Sequence, residues 1–441
     1  MATQINLQRN SEVFYSTVDL HGGGAATAMT AANTWKVEIL AGFAFSQASS
    51  VQDITTLESG TSPDRSTQRF NTAIDPVEWN FQTYLRPTGI QAVTAGAAGS
   101  HTGNSKRVAD WYLWQALVSN NSPATASGTA SRETSVWEGG GILRTVTRSG
   151  GAQSNSHYST SNFPTATAKN LYFKLDNVFY QVKNATVNEA AVDAAIDGIA
   201  MTSWSGMGTK LVELTSDVAT PAAHARDRAV LVFGGILANG TTVSANSSAN
   251  VGFSKATSTR HPTAGENVMQ YASWKNHFVN GTSTEAGFIK NRLSAIDIQY
   301  ESNTYSFPVT ALSFTYSNNI EYLTPEELAS LNSPIGQFTG SKTITGSLSA
   351  YLRAGSTADK NDSARFLSGI IADSRTSIAS GTSANLIVGG NTAPFVSFDC
   401  PSTQFNFPTD AIEDVIGVTA EFLAQETNKG TGDELIIKVQ K

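Results

Sequence analysis

The stretch ILAGFAFSQASSVQDIT, residues 39–55, returns without a gap as PVTALSFTYSNNIEYLT, residues 308–324, at an offset of 269. Only Phe45/Phe314 and Thr55/Thr324 are identical. The apolar positions nevertheless agree in kind: Leu40 with Val309, Phe43 with Leu312, Val51 with Ile320, Ile54 with Leu323. A silhouette kept at such a distance, with the identities lost, points to a duplicated unit.

Further landmarks follow in the same order. Upstream, NTW at Asn33–Trp35 answers NTY at Asn303–Tyr305. Downstream, Thr55 and Glu58 have the spacing of a helix capping box, and Thr324 and Glu327 repeat it with Pro325 at the first helical position. VEWNFQTYLR (77–86) then answers ITGSLSAYLR (344–353) at an offset of 267. In this pair Val77, Phe81 and Leu85 match Ile344, Leu348 and Leu352, while Glu78, Asn80 and Gln82 match Thr345, Ser347 and Ser349. That is the period-2 alternation of a half-buried strand in both copies.

Each copy next shows one helical segment. SKRVADWYLWQALV (105–118) reads as a helix capped by Ser105. Phe366, Leu367, Ile370 and Ile371 form an apolar stripe after Asp362. Return strands NLYF (from Asn170) and NLIV (from Asn385) follow, and DGIAMT (197–202) answers DVIGVT (414–419) at an offset of 217. The shrinking offset places roughly fifty extra residues in the first copy, mostly in the Ser/Thr/Gly-rich segment 119–169, which reads as an elaborated surface loop. The expected domains are 1–214 and 286–441, with 215–285 as an insertion or linker between them.

Composition suits this organisation. Of 441 residues 40% are hydrophobic and only 15% charged, so cores are affordable and the surfaces are largely neutral Ser, Thr, Asn and Gly. The net charge of −7, without a basic run, leaves no electrostatic grip for nucleic acid. One cysteine, Cys400, rules out an intrachain disulfide framework. MATQINLQRNSEVFYSTV has no secretory h-region, and the longest apolar run, AVLVFGGILA (229–238), is about half a membrane span, so a soluble chain made in a cytoplasm is expected.

Chemistry is hard to find. HGGG at 21–24 resembles an esterase oxyanion segment, but no Gly-x-Ser-x-Gly elbow accompanies it, so a hairpin loop is the simpler reading. None of the six histidines stands at His-x-His or His-x-x-x-His spacing. VDAAIDG (192–198) lacks the alternating oxygen ligands of a calcium loop and reads as a solvated turn. Trp79, Trp111, Trp114 and Tyr84 lack the interleaved cations of a base-stacking platform, which favours core packing. Cys400, beside Pro401 and with no nearby Lys or His, is expected to be inert. No catalytic, cofactor or metal residue is nominated.

The segments FIKNRLSAIDIQY (from Phe288), YSFPVTALSFTYSNNIEYLTPEELASLNSPIGQFTGSKTITGSLSAYL (305–352), RFNTAIDPVEWNFQTYLRP (69–87) and ADWYLWQAL (109–117) resemble the major tail tube protein of long-tailed bacteriophages, in the type whose chain holds two fused tube domains. The resemblance covers both copies and is weakest in 119–169 and 215–285. It implies a mainly β fold: two similar β-sandwich domains in tandem, each flanked by a helix, with strands contributing to a multi-chain inner β-barrel. It implies homotrimeric, pseudo-hexameric rings stacked into a hollow tube that conducts genomic DNA without binding it specifically. It also implies tape measure and tail tip or terminator proteins as partners, a place in the virion tail, no membrane and no enzymatic activity. On this resemblance the polar positions Glu78, Asn80, Gln82, Thr345, Ser347 and Ser349 are candidates for the bore; the alternative is that they face outer solvent or a neighbouring strand. The rival from another class is a glycan-binding surface adhesin built from two β-sandwiches.

Overall fold

The computed structural model describes residues 11–17, 19, 34–54, 68–90, 105–108, 110–117, 135–138, 142–145, 169–175, 178–213, 288–300, 303–326, 332–355, 362–372, 382–390, 395–406, 409–411, 416–426 and 434–440. The first copy runs β1 (Ser11–Ser16), β2 (Thr34–Val37), β3 (Ala44–Ile54), β4 (Gln68–Tyr84), β5 (Pro87–Ile90), β6 (Ser105–Val108), α1 (Trp111–Leu117), β7 (Ser135–Glu138), β8 (Ile142–Thr145), β9 (Lys169–Leu175), β10 (Val178–Ala195), β11 (Met201–Gly208) and β12 (Lys210–Glu213). The second opens with a 3-10 turn, Asn291–Leu293. It continues as β13 (Ala295–Tyr300), β14 (Asn303–Phe307), β15 (Val309–Ser317), β16 (Ile320–Leu323), β17 (Gly336–Thr339), β18 (Thr343–Tyr351), α2 (Ser363–Ala372), β19 (Thr382–Val388), β20 (Phe395–Cys400), β21 (Ser402–Phe405), β22 (Thr409–Ala411), β23 (Gly417–Gln425) and β24 (Ile436–Gln440).

Both copies build the same two sheets from antiparallel strands. One sheet, the broad one, runs β3-β4-β11-β10 in the first copy and β15-β18-β23 with β21 and β22 in the second. The other covers it, as β2-β1-β9-β10-β12 and as β14-β13-β19-β20-β24. The opening match thus occupies one place twice, as β3 and as β15 with β16. Asn80 pairs with Ala44 and Ser205, and Ser347 pairs with Ser313 and Glu421, which fixes the equivalence strand by strand.

One strand marks the difference between the copies. In the first, β10 runs 18 residues and serves both sheets, turning between them at Asn184, which adopts φ 49°. In the second, Pro401 stands at the same crossing and divides the strand into β20 and β21. Proline supplies no N–H to a ladder, so the strand ends there.

The sheets are held together by aromatic side chains between them. Phe45 lies 4.4 Å from Phe173 and 5.3 Å from Tyr180, ring centre to ring centre, and its identical counterpart Phe314 lies 4.7 Å from Phe398. Each such ring buries enough apolar surface to contribute about 2–3 kcal/mol. Trp114 of α1 meets Trp204 edge-on at 5.0 Å and also reaches Phe398 of the second copy at 5.7 Å, while Phe366 of α2 meets Phe405 edge-on at 5.3 Å, so α2 closes the core of its own copy and α1 packs on both.

Several sequence expectations are corrected. The first helix spans only Trp111–Leu117: Ser105 begins β6, which pairs with β5, and the helix starts at Asp110, whose carbonyl accepts the Leu113 N–H. Ile371 stands outside the apolar stripe, 58% exposed, whereas Phe366, Leu367 and Ile370 are buried. Thr324–Glu326 is not helical; Glu327 and the capping box of the first copy lie outside the described residues. The segment 119–169 is more than a loop, since β7 pairs with β24 and adds itself and β8 to the covering sheet of the second copy. In VDAAIDG, Val192–Ala195 is strand and only the next residues turn. The ladders set DGIAMT against DVIGVT at 216 rather than 217, because Met201 pairs with Tyr84 and its counterpart Gly417 with Tyr351. HGGG, all six histidines and AVLVFGGILA lie outside the described residues.

Candidate functional site

The broad sheet is continuous across the duplication. The end of β10 pairs with β15 from Glu189↔Ser317 to Ala195↔Ala311, giving the order β3-β4-β11-β10-β15-β18-β23-β21. One face of it is core. Val77, Trp79, Phe81, Trp204, Val192, Phe314, Tyr316, Leu348 and Ala420 are all buried there.

The opposite face is a polar field. The ladders arrange it in rows that cross both copies. One row runs Asn80, Ser205, Glu189, Ser317; the next runs Gln82, Ser203, Ala191, Thr315, Thr345; a third runs Asp193, Ser313, Ser347, Glu421. All six residues nominated from the sequence fall on this face: Glu78, Asn80, Gln82 and Thr345 are exposed, Ser347 and Ser349 half-buried. Cross-strand hydroxyls tie it together. Ser313 Oγ lies 2.7 Å from Ser347 Oγ, Ser349 Oγ 3.1 Å from Thr419 Oγ1, and Gln82 Nε2 donates to Ser203 Oγ at 3.0 Å. Such pairs hold register while leaving the surface neutral.

The charges on this face are of one sign. Glu78, Glu189, Asp193 and Glu421 stand on it, and among the face positions of β4 from Glu78 onward, β11, β10 from Glu189, β15, β18 and β23 there is no Lys or Arg. Sequence reasoning nominated only Glu78 of these four. The alternation in GVTAEFLAQ held the signal for Glu421. That for Asp193 was hidden when its strand end was read as a turn.

Nothing in the described residues points to a reaction. No group of three or more His, Cys, Asp or Glu could hold a metal among them, and no helix there is long and apolar enough to cross a membrane. Cys400 is buried, and burial pushes its thiol pKa up, the opposite of an activated nucleophile. Trp79 and Trp114 are core residues, and Tyr84 meets Phe288 edge-on at 5.4 Å. Among the described residues Asp110 is the one carboxyl pushed strongly upward. Burial pushes it up to about 6, although Thr83 Oγ1 and Trp204 Nε1 donate to its Oδ2 at 2.7 and 3.1 Å. It sits beneath the sheet as a structural group, away from the polar field.

The two ends of the broad sheet are open. Among the described residues β3 pairs only with β4, and β21 and β22 only with β23. An unpaired edge normally carries Lys, Pro or an early stop. The 11-residue β3, AFSQASSVQDI, has none of these.

No protein-family model matches the chain. It is similar to the tail tube protein pb6 of Escherichia phage T5, with 25% identity across 98% of this chain and 75% of that protein.

Proposed function

The chain is a tail tube protein of the long-tailed-phage kind, and from that premise we propose that three copies close into a ring and that rings stack into the hollow tube of a virion tail. The observation that carries this is the seam between β10 and β15. One chain already joins two equivalent four-strand sectors edge to edge and, among the described residues, keeps an open edge at each end, the long β3 at one and the short β21 and β22 at the other. Closing those edges removes the pairing liability. Three chains of eight strands give a barrel of about two dozen, well beyond the 16–18 that already enclose a channel.

In that ring the core face packs outward on the covering sheets and the polar face lines the bore. Glu78, Asn80, Gln82, Thr345, Ser347 and Ser349, joined by Glu189, Asp193 and Glu421, then present neutral and acidic groups to the passage. Phosphates meet repulsion or indifference there, so a genome slides instead of sticking. The two units are residues 1–214 and 286–441, with 215–285 between them. The role is structural, with the chain's main partner another copy of itself and other tail proteins at the tube's ends.

Lysine at Asn80 and Ser347 tests the lining. With three chains per ring each substitution adds three cations at one level of the bore. DNA release from assembled particles, followed by dye fluorescence, is expected to slow and to recover at higher salt, with tubes still forming. Unchanged release from intact tubes would place this face elsewhere.

A further inference from the structure

We infer that the two open edges pair with each other between copies in the register of the seam already built inside the chain, with Asn406 doing between chains what Asn188 does within one. This rests on the ring proposed above and adds its residue-level geometry.

The internal seam is more than a ladder. Beyond the paired residues, Asn188 Oδ1 accepts the Ile320 N–H at 2.8 Å and the Asn188 carbonyl accepts the Asn318 N–H at 2.9 Å. Asn318 Nδ2 donates to the Leu117 carbonyl at 2.6 Å, at the end of α1. Tyr322 Oη donates to the Asn184 carbonyl at 2.8 Å and lies 2.9 Å from Thr186 Oγ1. Residues of the second copy thus grip the bulge of β10 between Val187 and Glu189.

The equivalence of the copies carries this seam to the open ends. β15 maps on β3 at an offset of 269. β10 maps on β20–β22 at an offset of 218, because Ala191 pairs with Ser203 and Thr409 with the counterpart Thr419, and Val187 pairs with Gly206 and Phe405 with the counterpart Phe422. Asn188 then falls on Asn406, another asparagine. It is exposed, and it sits at the same irregularity, between the Phe405↔Phe422 and Thr409↔Thr419 pairs. Its N–H donates to the Glu421 carbonyl at 2.8 Å, which holds it at the sheet margin.

Burial supplies the independent observation. Ile320, against Asn188, is 2% exposed; its counterpart Val51 on the open edge is 45% exposed. The positions are equivalent in sequence, and they differ in that Ile320 sits at the seam with the first copy, whereas among the described residues no strand pairs with the outer edge of β3 at Val51. A neighbouring chain's β21–β22 edge supplies that cover.

The mapped register sets Thr409 opposite Ser46, and Ala411 opposite Ala44, of the next chain. It gives the Asn406 side chain the Val51 N–H and its carbonyl the Ser49 N–H. Two internal contacts have no counterpart: Tyr322 maps on Asp53, already paired with Arg69, and Asn318 maps on Ser49. The seam between chains is therefore the weaker of the two, and it is the one that opens when a ring dissociates.

Disulfide trapping tests the register in the full-length chain. Directly opposed residues approach to about 4.5–5.5 Å at Cα, within disulfide reach, whereas a shift of two does not. After mild oxidation of assembled tubes, S46C/T409C is expected to give covalent trimers on a non-reducing gel, at least about tenfold faster than A48C/T409C. A mixture of chains bearing only S46C with chains bearing only T409C is expected to stop at dimers. N406A is expected to raise the concentration needed for assembly about fivefold, with an unchanged melting temperature of the free chain. Tubes that form but cross-link fastest through A48C/T409C would overturn the register and leave the ring standing. Chains that never assemble would overturn both.

Discussion

The two copies solve one packing problem with opposite parts. In the first, Trp79 on β4 lies against Gly206 on β11; in the second, the equivalent positions are Gly346 on β18 and Phe422 on β23. The large ring and the empty site have changed strands. A methyl group on Gly206 would fall 2.3 Å from the Trp79 ring, and one on Gly346 2.3 Å from the Phe422 ring. The volume between the strands is kept while its owner is exchanged, which teaches that the duplication conserved shape and ladder rather than residues. Close packing requires the sum to be filled and is indifferent to which strand fills it.

The largest effect expected from this comparison is at Gly206. Its added methyl also meets the Thr186 carbonyl at 2.0 Å, so backbone has to move, whereas at Gly346 a side-chain ring can turn aside. Chemical denaturation is expected to show a loss of roughly 4 kcal/mol or more for G206A and about 1–3 for G346A. Equal losses would break the picture of one exchanged volume.

The identical phenylalanines give the next effect. Phe314 is 1% exposed on a central strand, and F314A is expected to cost about 3–5 kcal/mol. Phe45 does the same work from the open edge and is only half-buried, so F45A is expected to cost about 2 kcal/mol in the free chain. In the ring proposed above β3 would be a central strand, so within assembled tubes the difference is expected to shrink, as thermal melts of both forms would show.

Smaller effects come from the aspartates that begin the two helices. Asp362 Oδ1 caps α2 by accepting the Arg365 N–H at 2.9 Å. Asp110 turns its Oδ2 to Thr83 and Trp204 instead, and its buried Oδ1 has no hydrogen-bond partner among the described residues. Its folded pKa of about 6 lies above the unfolded value, so the folded chain binds the proton more tightly. The stability this confers is complete below about pH 4 and lost as pH rises through 6, about 2–3 kcal/mol in all. D110N keeps both accepted bonds without the buried charge. It is expected to raise the melting temperature at pH 7 and to leave it unchanged at pH 4. D362A, which removes an ordinary cap, is expected to cost about 1 kcal/mol at either pH.

Much of this was legible in the sequence because period-2 alternation is a local signal. Glu78, Asn80 and Gln82 against Val77, Trp79 and Phe81 gave face and strand together, and Phe45/Phe314 marked equivalent places. The glycine–aromatic exchange was not legible, since it is a relation between strands far apart in the chain. Ser105 misled because a serine before an apolar run is a good cap in isolation, while pairing with Pro87–Ile90 makes it strand. β7 and β8 lie in polar, Gly-rich surroundings, and their role comes from β24, some three hundred residues further on. Ile320 and Val51 look alike in sequence; only the fold separates the covered from the waiting position.

The most direct test is the symmetry of the assembled object viewed end-on by electron microscopy. Two equivalent sectors per chain and three chains per ring predict sixfold rotational power at low resolution, resolving to true threefold symmetry as the insertion 119–169 and the Trp79/Gly346 difference become visible. Discrete monomers, or rings of six whole chains with one sector of each left outside the barrel, would contradict it.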